Sequence, residues 1–600
     1  MKRPAIIIVM MLLCALVQAQ TWEEIRTSPL YLSGEGKGET IDEADKHALA
    51  ALISKITVEV SSSIEVSMEE TREGDTWNSK SYAENKVKTY SNATLNNTDQ
   101  LILSNEPDAH VGRWIKRSEI DRIFAGRRAK VMEYVGNAEK GEIKGKLDDA
   151  LRNYYWAYTL LKTLRYPSEV KYTDCKGEQH LLATWIPEKM NEIFSSLSIT
   201  VLSKENNEVD LYFTYNGIQV TSIDYTYFDG ARWSNIYSAK DGKGILELAP
   251  GAPSEHLQLK IEYAYKNEAH IDKEIYSVID IVNSSSFRKA YITIDGTPNP
   301  MKAQAIQFQE EELSKTTTAS LSKLEDETFI KQSINKLISA IESRQYQQVR
   351  DMFTSDGYIM YNSLISYGNA KIIGQPTYSI YKNGDRTVVR SVPMSFSFTH
   401  GMKKSFVEDI VFIFNSNGKI ESLAFGLDDA AAKDILGKHV WPEHARVAII
   451  EFLENYKTAF ALERLDYIRS IFDDNAVIIV GKIARAATSV SPENQLTYNN
   501  KIITRTRYTK EQYLKNLERC FASNEYVNIR FANNDVVKAG VGGEIYGIQI
   551  KQDYYSANYG DTGYLFLLVD INDPLAPMIK VRTWQPEPDP VDGLFNMSHF

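Results

Sequence analysis

The sequence predicts a multidomain α+β protein, and three observations lead to this fold class. The chain has 600 residues, enough for about four domains of ~150 residues each. Hydrophobic residues make up 43% of it, which is sufficient for folded cores. Helical and strand-like periodicities alternate along the chain, and its 35 tyrosines favour a large share of β structure. We therefore expect several mixed domains in a row.

The N-terminus has the pattern of a secretory signal. Lys2 and Arg3 precede an apolar run over residues 4–17, and Ala19 provides a small residue at the cleavage position. The run is shorter than the ~20 residues that a membrane-spanning helix needs. We predict that residues 1–19 form a signal peptide, that the protein is exported to the periplasm or the outer membrane, and that the mature chain has no transmembrane segment.

The cysteines exclude a disulfide framework. Cys14 lies within the signal, and because Leu13 stands where lipoprotein processing requires a small residue, a lipid anchor at Cys14 is not expected. Cys175 and Cys520 remain, far apart in sequence. One bridge between domains stays open, although two unpaired, buried thiols are the favoured interpretation.

The net charge of −11 is spread along the whole chain. An acidic surface of this kind is a poor partner for nucleic acid or anionic lipid. Envelope proteins are the expected partners, and a small-molecule ligand remains possible.

Residues 20–117 predict an α+β domain. A strand from Tyr31 leads through the glycines of 34–38 into a helix that Thr40 and Glu43 open as a capping box. Alternation over 57–68 and again over 82–103 predicts further strands. The glycine-rich segment lacks the spacing of a dinucleotide-binding loop, so it is interpreted as a turn.

This segment resembles a family of small surface lipoproteins and the N-terminal domain of flagellar assembly protein T. The residues that carry the resemblance are Gly34, Gly36, Ala44, Ala48 and Leu52. The resemblance implies an envelope component and no enzymatic activity.

Residues 118–190 predict a helical hairpin, because Gly145, Ala150, Tyr154, Ala157 and Leu160 have the small-residue spacing of close-packed helices. The pattern resembles one tetratricopeptide repeat. A single copy cannot build a peptide-binding array, so a structural spacer is expected.

Residues 191–296 predict an antiparallel β-sandwich, with turns at 215–217 and 241–244. The arrangement resembles the immunoglobulin-like or prealbumin-like domains of exported proteins. The polar, proline-containing stretch 297–328 is interpreted as a linker.

The C-terminal half contains an internal repeat. Residues 329–436 and 437–600 each predict a helix, a second short helix and then a curved antiparallel sheet. This order resembles the cone-shaped fold of nuclear transport factor two. In related proteins the interior of the cone can hold a small apolar ligand or an Asp/His pair that transfers protons.

The sequence contains only weak matches to catalytic and metal-binding motifs. Ser320 and Lys323 match an SxxK pattern, but they lie in the predicted linker without the companion motifs, so chance is favoured. His439 and His444 are the only close histidine pair, and no ligand spacing for zinc is present. We predict no catalytic residues, no metal site and no cofactor.

A ligand pocket is the remaining candidate site. In the second repeat it would be lined by Tyr456, Phe472, Tyr546 and Trp584, although these side chains could simply fill the interior. The first repeat offers Phe398, His400 and Asp409, whose faces cannot be assigned from alternation, since a slip of one residue reverses them.

The preferred function is an exported, non-catalytic binding or scaffold protein of the bacterial cell envelope. One alternative is a lyase, isomerase or hydrolase acting on a small apolar ligand in a C-terminal cone. Another is carbohydrate or peptide binding by the sandwich, with Trp233 in an aromatic platform. An open pocket with ionisable groups would favour the enzyme, whereas a planar aromatic row would favour the platform.

Overall fold

The structure is a computed structural model. It describes residues 21–600 except 69–97, 165, 206, 263–264, 267, 280–281, 283–286, 318–320, 398–403, 485–501, 523–526, 541–542, 557–559 and 590–592. The predicted signal peptide, Cys14 and Ser320 therefore lie outside the described residues. Within them, no helix combines the length and the hydropathy of a membrane span.

The N-terminal unit is a three-stranded antiparallel sheet covered by one long helix. Its elements are α1 (Trp22–Thr27), β1 (Tyr31–Gly38), α2 (Ile41–Met68), β2 (Asp99–Ser104) and β3 (Ala109–Lys116). β3 lies between the other two strands. The helix packs so closely on β1 that a Cβ atom on Gly36 would lie 2.1 Å from the carbonyl oxygen of Ala44. The predicted glycine and alanine pattern therefore forms the helix–sheet contact.

One prediction for this unit is wrong. Residues 57–68 continue α2 as a helix and do not form a strand. Ile56, Val60, Ile64 and Met68 recur every four residues, so this segment also has the spacing of a helical face, which the two-residue alternation concealed. Of the alternating region predicted over 82–103, residues up to 97 lie outside the described part, and the remainder enters β2.

A helical hairpin follows and packs on the central sheet. This segment contains α3 (Arg117–Ile143), α4 (Leu147–Leu161), β4 (Lys171–Thr173), β5 (Gln179–Leu181) and α5 (Leu182–Ser196). Gly145 turns the chain between the two long helices with a φ of +67°. Trp156 and Leu160 of α4 share one hydrophobic core with Phe213 and Leu259 of the central sheet. The hairpin is thus part of a larger body.

The central sheet contains β6 (Leu197–Glu205), β7 (Glu208–Tyr215), β8 (Ile218–Gln219), β9 (Ser222–Tyr227), β10 (Ile236–Lys240), β11 (Lys243–Glu247), β12 (His256–Ile261) and β13 (Tyr291–Asp295), with α6 (Lys273–Val278) between the last two. The predicted sandwich would consist of two facing sheets. The strands instead form one hydrogen-bonded path in the order β13-β12-β9-β10-β11-β7-β6. Within this path β10 pairs with β9 over four residues and with β11 at Lys240↔Lys243. The helices cover one face of this sheet.

The stretch predicted as a linker contains a helix, α7 (Pro300–Thr317). Asn299 accepts a hydrogen bond from the backbone NH of Lys302, and its own NH donates to Val201 of β6. Glutamine, glutamate, alanine and lysine are strong helix formers, and they outweigh the two prolines, which lie at or before the first turn.

We call residues 329–436 the first cone. Its elements are α8 (Thr328–Glu342), α9 (Ser355–Tyr361), β14 (Lys371–Ile372), β15 (Ser379–Asn383), β16 (Arg386–Phe396), β17 (Lys404–Phe414), β18 (Ile420–Phe425) and α10 (Asp429–Leu436). β17 pairs in parallel with β10 at Ile236↔Lys404 and Tyr237↔Ser405. The central sheet therefore continues into the first cone.

We call residues 437–600 the second cone. Its elements are α11 (Glu443–Ala461), α12 (Leu465–Ser470), β19 (Phe472–Ala484), β20 (Ile502–Tyr508), α13 (Lys510–Ala522), β21 (Val527–Lys538), β22 (Ile545–Ser556), β23 (Gly560–Asp570) and β24 (Met578–Gln585). The strand order is β20-β19-β24-β23-β22-β21, and the β19–β24 pair is parallel. Helices α11 and α13 pack on one face of this sheet.

Candidate functional site

The four aromatic residues predicted for the second cone belong to or pack on a single core. Tyr456, Phe472 and Tyr546 are completely buried, and Trp584 is half-buried against them. They fill different parts of that core. The Tyr456 ring lies 5.0 Å from Phe460, whereas Tyr546 lies 5.0 Å from Trp441 at another position.

The polar centre of this interior is Arg582, which the sequence analysis missed. Its side chain is 7% exposed, and its Nε and Nη1 atoms have no hydrogen-bond partner among the residues that the structure describes. The guanidinium lies 4.8 Å from the centre of the Tyr513 ring. The Tyr456 hydroxyl is also buried, without a hydrogen bond of good geometry.

Strand register places Arg582 on the face that the helices cover. Arg582 pairs with Ile478 of β19 on one side and with Leu567 of β23 on the other. Both neighbours are core residues beneath α11 and α13. Because directly paired residues project to the same face of a sheet, the arginine projects there too. Trp584 stands two residues later on the same face, so strand alternation from this predicted residue could have identified Arg582.

This interior contains a buried cation with hydrogen-bond donors that are unsatisfied among the described residues. Burial by itself lowers the pKa of Arg582, but interactions with the Tyr513 and Tyr456 side chains raise it by more. The net pKa is raised, so the guanidinium stays charged. Burial in turn raises the pKa of Tyr513, so its phenol stays neutral. The unpaired N–H groups of Arg582, with the buried Tyr456 hydroxyl nearby, could donate hydrogen bonds to a carboxylate, sulfonate or phosphate group.

A second polar site lies where the central sheet meets the first cone. Asp241 in the β10–β11 turn, Asp409 in β17 and Asp429 at the start of α10 have carboxylate oxygens within 4.8 Å of one another. They line a cavity of about 70 Å³ together with three basic residues, Lys243, Arg390 and Lys433. Burial, and then the other carboxylates, raise the pKa of Asp241 and of Asp429. We call this site the acidic cavity.

The acidic cavity accounts for one of the three residues proposed in the first repeat. Ile410 and Phe412 point into the core of the first cone, so Asp409 projects from the opposite face of β17, away from that interior. Phe398 and His400 lie outside the described residues. The fold alone brings Asp241 to Asp409, because they are distant in sequence.

Other predicted features are dispersed. Trp233 packs against Phe228 and Tyr291 with rings inclined by 53° and 64°, so these three rings do not form a planar row. Neither Cys175 nor Cys520 forms a disulfide. Cys175 is exposed, which corrects the expectation of a buried thiol, because it lies in the turn of the β4–β5 hairpin.

Two further observations concern metal ligands. Asp174, Glu178 and His180 gather on the β4–β5 hairpin, where His180 Nε2 lies 3.0 Å from Asp174 Oδ2. This hydrogen bond already pairs the aspartate with the imidazole. His439 and His444, the predicted close pair, are exposed and belong to neither group of possible ligands.

No family model and no curated protein matches the chain. Among solved structures, a proposed scytalone dehydratase from Novosphingobium aromaticivorans is similar at 13% identity, with a TM-score of 0.17, over 23% of this chain and 80% of that one. A proposed dehydratase of the NTF2-like family from Streptomyces avermitilis is similar at 9% identity, with a TM-score of 0.16, over 22% and 89%. An LEH-like epoxide hydrolase from M. tuberculosis is similar at 14% identity, with a TM-score of 0.14, over 24% and 84%.

These similarities cover about a quarter of the chain. They concern fold alone. They do not concern the surface-lipoprotein resemblance of the N-terminal unit, and none of them assigns an activity to this protein.

Proposed function

We propose that this chain is an exported, non-catalytic binding protein of the bacterial cell envelope, and that its second cone binds a small molecule with an anionic group. The observation that carries this proposal is Arg582, a buried cation with no carboxylate partner among the described residues. The exported location is taken from the pattern of residues 1–19.

A lone buried charge is costly. Removing a guanidinium from water without a counter-ion disfavours the folded state by several kcal/mol, on the order of the penalty for one unpaired ion. A bound anion would offset that penalty and would accept hydrogen bonds from Nε and Nη1. The Tyr456 hydroxyl is available as a further donor.

The surroundings of Arg582 suit an apolar body on the ligand. Ile478, Leu567 and Ile548 form a row across the sheet beside the arginine, and Tyr513 lies beneath it. Ligand sites commonly combine apolar walls with a few placed polar groups. A fatty acid or an aryl carboxylate has this combination.

Binding is preferred over catalysis because of the groups that surround Arg582. Its described neighbours are tyrosines and aliphatic side chains, and no described carboxylate or imidazole forms an ion pair or hydrogen bond with it. General acid–base chemistry needs a titratable group in reach of the ligand. The same neighbours suffice for recognition of an anion.

A direct test uses 1-anilinonaphthalene-8-sulfonate, an aromatic anion that fluoresces in apolar sites. We expect the processed wild-type chain to bind one equivalent saturably, with palmitate or benzoate as a competitor. Arg582→Met should weaken this binding at least ~10-fold, because a charge-assisted hydrogen bond contributes about 1.5–3 kcal/mol. Arg519→Met, a neutralised exposed arginine on α13, is the matched control. Equal binding by the three proteins would refute the assignment.

A scaffold role is the second candidate, and a separate observation favours it. Partly buried ion pairs join the hairpin to the second cone and the central sheet to the first cone. Arg530 of β21 lies 2.6 Å from Asp148 and 3.0 Å from Asp149 of α4, and Lys371 of β14 lies 2.6 Å from Glu208 of β7. Such pairs hold separate surfaces at fixed spacing, as a scaffold requires.

The scaffold role predicts a protein partner that depends on this spacing. We would capture partners of the processed wild-type chain from envelope extract and compare them with those of Arg530→Met. Loss of a reproducible partner in the variant, with anilinonaphthalene sulfonate binding unchanged, would support the scaffold role. The same partners on both proteins, or none on either, would count against it.

A further inference from the structure

The lining of the acidic cavity has as many basic as acidic side chains. The three carboxylates lie together, with oxygen atoms within 4.8 Å of one another. The basic residues that share the lining are Lys243, Arg390 and Lys433. A ligand with a positive charge alone would be repelled by the basic groups, and a ligand with a negative charge alone by the carboxylates. A ligand that carries both charges therefore suits this lining best.

Arg390 on β16 gives an independent sign that a ligand belongs here. The residue is 8% exposed, and its Nη2 atom pairs with Glu454 at 2.5 Å. Its Nη1 atom is buried without a hydrogen bond of good geometry to any described residue, although Tyr381 lies close to the guanidinium. A buried N–H group without an acceptor disfavours the folded state, because it has lost its hydrogen bonds to water. Since Arg390 lines the cavity, a carboxylate bound there would supply the acceptor.

Asp409 on β17 gives the complementary sign. The residue is 8% exposed and lines the cavity, and its carboxylate makes no hydrogen bond or ion pair with any described residue. A Cβ atom on Gly426 would lie 3.4 Å from the Cβ of Asp409 and 3.6 Å from Nη2 of Arg390, so the acid and the guanidinium flank the same point. Ionised groups inside proteins are paired as a rule. A ligand ammonium would provide that pair.

The other two aspartates are also poorly satisfied. Among the described residues, the Asp241 carboxylate accepts only long contacts of 3.4 Å from the backbone NH of Asp429. Lys240, which precedes Asp241, is committed to Glu408 at 2.6 Å. Burial and the neighbouring carboxylates raise the pKa of Asp241 and of Asp429. A positive group bound among the three aspartates would offset their mutual repulsion.

The size and the apolar wall of the cavity limit the ligand further. Four aliphatic residues line it, namely Leu321, Leu436, Val447 and Ile450. Its volume of about 70 Å³ is about half of the ~150 Å³ that holds a benzene ring, so the ligand must have few heavy atoms. A small α-amino acid such as alanine carries an ammonium and a carboxylate on one carbon atom, and its methyl group suits an apolar wall.

We propose that the acidic cavity binds a small zwitterionic α-amino acid, with its carboxylate on Arg390 and Lys433 and its ammonium on the three aspartates. Asp241 comes from the β10–β11 turn of the central sheet, whereas the other charged groups named here belong to the first cone. The amino acid would therefore bind where β10 and β17 pair. Arg582 does not line this cavity, so the proposal is independent of an anion in the second cone.

The test uses the processed full-length chain and four small probes. Glycine and L-alanine carry both charges, propionate lacks the ammonium, and ethylamine lacks the carboxylate. By isothermal titration calorimetry at pH 7 we expect one equivalent of glycine or L-alanine to bind. Propionate and ethylamine should each bind at least ~10-fold more weakly, because each lacks one set of charge-assisted hydrogen bonds.

Two variants should change the preference in opposite directions. Asp409→Asn should weaken L-alanine binding at least ~10-fold and strengthen propionate binding, because it removes a charge that repels the carboxylate. Lys433→Met should weaken L-alanine binding and strengthen ethylamine binding. The matched controls Asp434→Asn and Lys336→Met, at exposed positions on α10 and α8, should bind as wild type does. The melting temperature of each ligand-free variant reports whether it folds.

Three outcomes would overturn the proposal. The first is no saturable binding of glycine or L-alanine. The second is propionate or ethylamine binding as tightly as L-alanine, which would mean that the cavity recognises a single charge. The third is an unchanged affinity for L-alanine in folded Asp409→Asn and Lys433→Met. Arg582→Met should bind L-alanine as wild type does, and a loss of binding in that variant would place the amino acid in the second cone instead.

Discussion

Arg152 on α4 lies 2.9 Å from the carboxylate of Asp553 on β22, 401 residues further along the chain. The side chains are 4% and 1% exposed. The same guanidinium reaches Glu268 at 2.9 Å and Asp149 at 3.0 Å. One buried cation thus joins the helical hairpin, the end of the central segment and the second cone.

Removing that cation should loosen the second cone from the hairpin. Arg152→Met leaves Asp553 and Asp149 buried with fewer positive partners, and breaking a buried pair from one side costs about 3–5 kcal/mol. We expect the midpoint of urea unfolding to fall, together with faster amide exchange in α4 and β22. Arg122→Met, which removes an exposed pair with Glu119 on α3, should cost less than ~1 kcal/mol. Similar shifts in both variants would contradict the network.

Arg582→Met should raise the stability of the ligand-free protein while it weakens anion binding at least ~10-fold. A methionine of similar length fills the space without an unpaired buried charge, although it loses the contact with Tyr513. The measurement is the melting temperature with and without anilinonaphthalene sulfonate. A variant that is destabilised in the ligand-free state would show that Arg582 has a structural role.

The acidic cavity should make stability depend on pH. Burial raises the folded-state pKa of Asp241 and of Asp429, so the folded protein holds protons that the unfolded chain has released. The contribution of these two aspartates to the free energy of unfolding is complete below pH ~4. It is lost as the pH rises through their folded-state pKa values. Asp241→Asn should flatten the dependence of the melting temperature on pH. A pH profile unchanged from wild type would argue against a contribution of Asp241.

Lys162 should destabilise the protein at neutral pH. Burial lowers its pKa to about 8, so the folded state releases a proton that the unfolded chain keeps up to pH ~10.5. The free energy of unfolding therefore rises between pH ~8 and ~10.5, as the unfavourable contribution of Lys162 disappears. Lys162→Met should stabilise the chain at pH 7 by about 1–3 kcal/mol, and by less at pH 10. Lys140→Met, on the exposed part of α3, should change little at either pH.

Gly36→Ala should disrupt the N-terminal unit. A methyl group there would lie 2.1 Å from backbone atoms of α2, so the helix would have to move off β1. Overpacking of this kind costs about 1–3 kcal/mol or more. Gly126→Ala, with no atom within 4 Å of the added methyl, should instead stabilise α3 by up to ~1 kcal/mol. Circular dichroism melting of the two variants should therefore shift in opposite directions.

Local patterns predicted the elements wherever one periodicity dominated. The helix from Ile41, its glycine-rich contact with β1 and the turn at Asp241 all follow from short-range spacing. Residues 57–68 show where such patterns become ambiguous, because their spacing fits both a strand and a helix. In the structure the helix that begins at Ile41 continues through them. The helix α7 shows the same limit for a polar segment interpreted as a linker.

The sequence by itself determined the mixed fold class, the alternation of helices and strands and the aromatic residues of the second cone, since each depends on neighbours a few positions apart. Only the tertiary structure decided that Tyr456 and Tyr513 lie beside Arg582, that one sheet replaces a sandwich, and that Asp241 meets Asp409 and Asp429. The physical reason is that charges interact through space. Whether a buried charge has a partner depends on which distant strands the fold places beside it.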